Sequence, residues 1–211
     1  MSAGSVARII SVALVMAWMV SGLMDTGHAA ADPCADVDVV VARATDEPPG
    51  TGFVGQAFVN ALRPKVSPRS LDVYAVNYPA SGDLVGSASV GADDALAHVQ
   101  STVANCPNTR IVLVGYSRGA TVTDLTTERL TPEAADHVAA IAIFGNPQSA
   151  RIKNDAGGHL PTINPLYRSR TIDLCFPDDP ICSEGTNDAA HVQYVQSGMT
   201  DQAATFVAQR L

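Results

Sequence analysis

Apolar, β-branched runs recur along the chain at Val37 to Ala42, Leu71 to Tyr78, Ile111 to Tyr116, Val138 to Phe144 and Arg170 to Leu174. Each has the length of a strand, and the middle three are almost continuously apolar, which predicts strands covered on both faces. Between them the period becomes helical. Phe53, Val54, Ala57, Phe58, Ala61 and Leu62 share one stripe, ended by Pro64; Ala92 to Val103 and Ala120 to Leu130 form two more. Met199 to Leu211, with Ala203, Phe206, Val207 and Leu211 on one side, closes the chain as a fourth. Strand alternating with helix predicts an α/β fold, a parallel sheet with right-handed crossovers. The pattern shows no internal repeat and no second domain. Ligands gather at the carboxyl ends of strands in such sheets, so chemistry is expected in the loops after Ala42, Tyr78, Tyr116, Phe144 and Leu174.

The first residues stand outside this alternation. Arg8 precedes an almost unbroken apolar stretch, Ile9 to Met24, which runs into Ala29, Ala30 and Ala31. Residues 1–31 read as a secretory signal peptide cleaved after Ala31, which leaves residues 32–211 as the folded domain. A retained anchor is the rival reading, and the apolar segment is short for a span of roughly 20 residues. The expectation is therefore an exported protein, extracellular or held in the cell envelope, with no stable membrane span after cleavage.

Composition is that of one globular domain, with 46% hydrophobic and 16% charged residues in 211. Net charge is −8, and removing the leader takes one charge of each sign, Arg8 and Asp25. An acidic chain of this kind is not expected to bind nucleic acid. Arg63, Lys65 and Arg69 cluster, but as a solvated surface. All four cysteines, Cys34, Cys106, Cys175 and Cys182, fall in the exported part, and an even number in an oxidising compartment reads as two disulfides. The short separation of Cys175 and Cys182 favours a local loop, leaving Cys34 to Cys106 as the long staple. Zinc ligation is the alternative, but no C-x-x-C pair is present; no metal and no cofactor are expected.

Gly115-Tyr116-Ser117-Arg118-Gly119 fits G-x-S-x-G between a strand and a helix. A strand that turns directly into a helix crowds the backbone, so glycine is needed two positions either side, and the serine is pushed out at a helix N-terminus where developing negative charge is favoured. Ser117 is the expected nucleophile, against the alternative of a tight turn that merely carries serine. A serine hydroxyl needs a base oriented by an acid, in the order Ser, acid, His. His28 leaves with the leader, His98 lies on a helix before the serine, and His137 begins a strand at the wrong end of the sheet. His159 and His191 remain, and His191 is preferred. It follows the Cys175 to Cys182 segment, which holds Asp178 and Asp179 directly after the last strand, where a short disulfide loop would hold a carboxylate rigidly. Asp178, Asp173 and Asp188 are read as solvated.

The segments "ADPCADVDVVVARATDEPPGTGFVG", "VYAVNYPAS", "NCPNTRIVLVGYSRGATV" and "IDLCFPDDPICSEGTNDAAHVQYVQSGMTDQAATFVAQRL" resemble the cutinase family, specifically the cutinase-like serine esterases exported by mycobacteria. The resemblance covers essentially the whole mature chain. It implies an α/β-hydrolase variant with a five-stranded parallel sheet flanked by helices, two disulfides (Cys34 to Cys106 and Cys175 to Cys182) and an exposed active site without a large lid. It also implies Ser117 as nucleophile, Asp179 as acid and His191 as base. The oxyanion hole corresponds to the backbone N–H of Arg118 and to Thr45, a hydroxyl residue in the loop after the first strand.

Two positions depart from the family pattern. Ala44 stands where glycine is common, so the loop carrying Thr45 is expected to take a slightly different course. Arg118 stands where glutamine is usual. Its guanidinium is expected to pair with Asp46 or Glu47 on the facing loop; the damaging alternative is capture of Asp179 in competition with His191.

The function expected is a secreted carboxylic-ester hydrolase, monomeric, acting by acyl transfer on small-molecule, lipid or polymer esters. Ser81 to Ser87 and Ile181 to Ala190 are small and polar, with Leu84, Val85 and Ile181 the larger apolar residues, which suits short to medium acyl chains. The alternative is a cell-envelope surface or binding protein that keeps the scaffold while Arg118 has impaired catalysis.

Overall fold

The computed structural model describes Met1 and residues 34–211; the proposed signal peptide lies outside them. Five strands, β1 (Val37–Ala42), β2 (Leu71–Ala75), β3 (Arg110–Tyr116), β4 (Val138–Phe144) and β5 (Thr171–Leu174), form one sheet in the order β2-β1-β3-β4-β5. Every neighbouring pair is parallel. This is the five-stranded sheet expected, and both disulfides, Cys34–Cys106 and Cys175–Cys182, are formed. With all four cysteines paired, the zinc alternative is gone.

Alternation along the buried strands sends successive side chains to opposite faces. Val37, Val39 and Val41, with Val112, Val114 and Ala142, meet α1 (Gly52–Val66) and α6 (Met199–Ala208) through Val54, Phe58, Leu62, Ala203 and Val207. Val40, Leu113, Ile141 and Ile143 face α2 (Leu84–Asn105), α3 (Arg118–Arg129) and the short α4 (Pro132–His137) through Ala88, Ala92, Val99, Val122 and Ala134. Each fully buried Val, Leu or Ile contributes about 1.5–3 kcal/mol. Two cores of this kind hold the central strands rigidly, which positions the loops at their carboxyl ends.

The boundaries differ from expectation in three places. The first helix runs through Pro64 to Val66, because one backbone bond lost in the final turn is offset by burial of Val66 beyond it. The second begins at Leu84, well before Ala92: Asp83 caps it by accepting from the Gly86 N–H, and small Ser87 and Gly91 are buried, Gly91 close against Tyr78 and Val122. Leu84 to Ser87 are thus a helix start rather than loop. β2 stops at Ala75, since Asp94 takes the Asn77 N–H and Tyr78 turns inward to donate its hydroxyl to the Arg43 carbonyl.

α3 is polar in composition yet buried from Arg118 through Thr127. Its threonines satisfy their hydroxyls on the helix's own carbonyls, Thr123 on Gly119, Thr126 on Val122 and Thr127 on Asp124. Asp124, fully buried, accepts one hydrogen bond from the Asn146 amide at 3.2 Å. Burial pushes its carboxyl from 3.8 up to about 8, helped by Asp173 and Glu128 and opposed by Asn146. An acid with a raised native pKa holds its proton longer when folded, so its contribution is complete below pH ~4 and is lost as pH climbs toward 8. Asp124→Asn should therefore be close to wild type in urea unfolding at pH ~4 and more stable by on the order of a few kcal/mol at pH ~8. A constant difference across that range would refute the buried-acid account.

Candidate active site

Ser117 sits between β3 and α3 with φ 55° and ψ −120°, a left-handed backbone for a residue that carries a side chain. The flanking glycines have a direct steric cause. A Cβ on Gly115 would run into the Gly119 carbonyl and the Thr123 hydroxyl, and a Cβ on Gly119 into the Ala42 carbonyl. Strand and helix pass too closely for any side chain there.

The hydroxyl so presented lies 2.9 Å from His191 Nε2, and His191 Nδ1 lies 2.8 Å from Asp179 Oδ2. His191 is carried by a single 3-10 turn, Asp188–Val192, capped by Asn187. Its ring stacks on Tyr116 at 5.1 Å, and the Tyr116 hydroxyl donates to the His191 carbonyl at 2.6 Å. Gly145, at φ 55°, leaves the ring its room, since a Cβ there would stand 2.8 Å from His191 Cε1.

Asp179 is fully buried inside the Cys175–Cys182 loop. Its Oδ1 accepts from the Ile181 N–H at 2.8 Å, and its Oδ2 accepts from the Tyr194 hydroxyl at 2.6 Å besides facing His191. Three donors converging on one carboxylate hold it in place. Tyr194 is held well above the ordinary phenol range by burial and by its bond to Asp179, so it remains a donor. Burial does the same for Tyr116. Neither tyrosine was legible as a site residue, for nothing local marks a tyrosine whose partner lies in another loop.

The other candidates fall where the chain pattern put them. His98 Nε2 contacts Asp38 at 2.7 Å with its ring stacked on Tyr74; His137 ends α4, near the Thr109 carbonyl; His159 is exposed in a loop. Asp173, Asp178 and Asp188 are exposed. Lys65 of the basic cluster pairs with Asp201.

Thr45, Ser117 and Arg118 line one cleft of about 270 Å³. Its apolar walls are Leu84, Pro147, Ile152 and Ile181, with Val85 outside it. Ile152 comes from α5 (Ala150–Asp155), a helix too short and polar for its periodicity to be read. A larger cavity, about 370 Å³ between Asn146, Gln148, Arg168 and Asp173, does not include the serine.

The loop bearing Thr45 is braced by Glu47, whose two carboxylate oxygens accept from the Ala44 and Phe53 N–H groups at 2.7 Å each. Ala44 does not adopt a positive φ, so alanine is no obstacle there. With Glu47 engaged and Asp46 exposed, the expected ion pair with Arg118 does not form. Nor does Arg118 reach Asp179. Its Nε donates to Thr45 Oγ1 at 3.1 Å, and its two terminal nitrogens donate to the carbonyls of Ser81, Gly82 and Asp83. Among the described residues, no group of three or more His, Cys, Asp and Glu could hold a metal ion.

The cutinase family model matches residues 33–211. Carboxylesterase Culp1 of Mycobacterium tuberculosis is 57% identical over 213 residues, covering 100% of this chain and 98% of that protein. Phospholipase Culp4 of the same organism is 48% identical, over 84% of this chain and 80% of its own. Among solved structures, a Trichoderma reesei cutinase in complex with a phosphonate inhibitor is 31% identical with a TM-score of 0.68, covering 84% of this chain and 77% of its own. The catalytic core domain of acetyl xylan esterase from Trichoderma reesei is 25% identical with a TM-score of 0.69, covering 84% and 100%.

Proposed function

The chain belongs to the cutinase family and is a carboxylic ester hydrolase; from that premise we propose that it is exported and works through a Ser117–His191–Asp179 triad with an acyl-enzyme intermediate. The observation that carries this reading is the unbroken run of hydrogen bonds from the Ser117 hydroxyl through both ring nitrogens of His191 to Asp179.

Ser117 Oγ attacks the ester carbonyl as its proton passes to His191 Nε2, and Asp179 stabilises the imidazolium through Nδ1–H. The carbonyl oxygen becomes an oxyanion held by the Arg118 N–H at the start of α3 and by Thr45 across the cleft. The C–O bond breaks, the alkoxide leaves with the proton from Nε2, and the acid stays on Ser117. Water, deprotonated by the same nitrogen, then releases the carboxylic acid and restores the serine.

Leu84, Pro147, Ile152 and Ile181 enclose room for a short or medium acyl chain. Two disulfides and the apolar leader support export. The buried charge of Arg118 is spent on backbone carbonyls and leaves the triad's bonds intact, which favours an enzyme over an impaired scaffold.

A fluorophosphonate should add to folded protein at Ser117, located by mass spectrometry. On p-nitrophenyl esters from acetate to palmitate, kcat/KM should peak between butyrate and octanoate and fall about tenfold or more at palmitate. Folded protein that takes no label would return the binding-protein reading.

A further inference from the structure

A guanidinium carries five N–H donors and cannot shed its charge, so a buried one must place those donors. Arg118 is 6% exposed, and among the described residues no carboxylate pairs with it. Instead three consecutive carbonyls, of Ser81, Gly82 and Asp83, converge on its terminal nitrogens at 3.3, 3.0 and 2.8 Å. That convergence needs a bent backbone, which Ala80 at φ 57° and Gly82 at φ 71° supply. The bend is tied to the facing loop, since the Asp46 N–H donates to the Ala80 carbonyl at 2.8 Å.

The Nε–H donates to Thr45 Oγ1 at 3.1 Å. A hydroxyl has one proton and two lone pairs. With a cationic donor filling one lone pair, the Thr45 proton is turned away from Arg118, and the hydroxyl lines the same cleft as Ser117. We propose that Arg118 is a positioning residue of the oxyanion hole through its side chain: it orients the Thr45 hydroxyl as a donor and clamps the 81–83 segment beside it. The inference rests on Ser117 being the nucleophile. It assigns the residue after the serine two separate roles, its N–H toward the oxyanion and its guanidinium toward the opposite wall, so the hole is formed before substrate arrives.

The test is a double-mutant cycle on a p-nitrophenyl ester, with melting temperature followed throughout. Thr45→Val should lower kcat about 10²–10³-fold. Arg118→Met, similar in length but without donors, should lower kcat about 10–100-fold with KM within about threefold, and affinity for a boronic-acid transition-state analogue should fall in step. In the Thr45→Val background, Arg118→Met should cost less than about twofold, because its target hydroxyl is gone. Thr45→Ser should keep most activity and its dependence on Arg118. If Arg118→Met does not fold, Arg118→Gln, too short to span both walls, takes its place in the cycle. An unchanged kcat, or the same fold loss in both backgrounds, overturns the inference. Should Ser117→Ala retain activity, the nucleophile reading itself fails; an inactive Ser117→Ala beside an additive cycle removes only the role of Arg118.

Discussion

Ser117→Ala is expected to lower kcat on ester substrates by about 10⁴–10⁶-fold while leaving the fold and KM nearly unchanged. Removal of the oxygen deletes the atom proposed to form the acyl-enzyme, so only the oxyanion donors and substrate positioning would remain. Little else should change, since the hydroxyl's hydrogen-bond partner is His191 at 2.9 Å and alanine inherits the same backbone position. The check is steady-state hydrolysis with the uncatalysed rate subtracted, beside a thermal melt. Residual activity within about a hundredfold of wild type would show that another group attacks the ester.

Asp179→Asn should cost about 10⁴-fold in kcat for a different reason. The carboxylate faces two donors besides the histidine, the Ile181 N–H on Oδ1 and the Tyr194 hydroxyl on Oδ2. An asparagine satisfies the Ile181 N–H only by turning its carbonyl oxygen there, which points its NH₂ at His191 and Tyr194. His191 must then accept at Nδ1 and carry its proton at Nε2, where the Ser117 proton has to go. The prediction is a lost kcat with the wrong tautomer visible in ¹⁵N spectra of the ring. Aspartate and asparagine are nearly the same size, so stability should fall far less than for Asp179→Ala, which strands buried donors at about 1–3 kcal/mol. Activity within tenfold of wild type would mean that the orientation of His191 does not depend on this carboxylate.

Much of the site is readable along the chain because its causes are local. Glycines two residues either side of Ser117 betray a strand running straight into a helix, and the contacts at Gly115 and Gly119 are that crowding seen from inside. The short Cys175–Cys182 spacing marks a rigid loop, and Asp179 sits in it fully buried while Asp178, one residue away, is exposed. Short helices are where local reasoning weakens. α5 has six residues, too few for a period to emerge, yet it supplies Ile152 to the cleft. The start of α2 reads as loop because glycine and serine are poor helix formers; contact of Gly91 with Tyr78 and Val122 overrides that preference.

Arg118 shows where the boundary lies. Asp46 and Glu47, next to Thr45 in sequence, are the partners a sequence reading offers for the charge, but Glu47 is committed to two backbone N–H groups and Asp46 faces solvent. The carbonyls that take the guanidinium belong to a bend some thirty-five residues earlier, and a carbonyl has no residue identity by which a sequence could announce it. The tyrosines behind His191 and Asp179 are the same case, ordinary residues given a role by where two loops meet. The amino-acid sequence alone determined the α/β alternation and the strand-to-helix turn at Ser117, and it marked Asp179 and His191 as the acid and base of the proposed triad, because periodicity, backbone sterics and a short disulfide loop act over a few residues. Only the tertiary structure decided which donors meet which acceptors around them, because those pairings depend on loops brought together by the packing of the two cores.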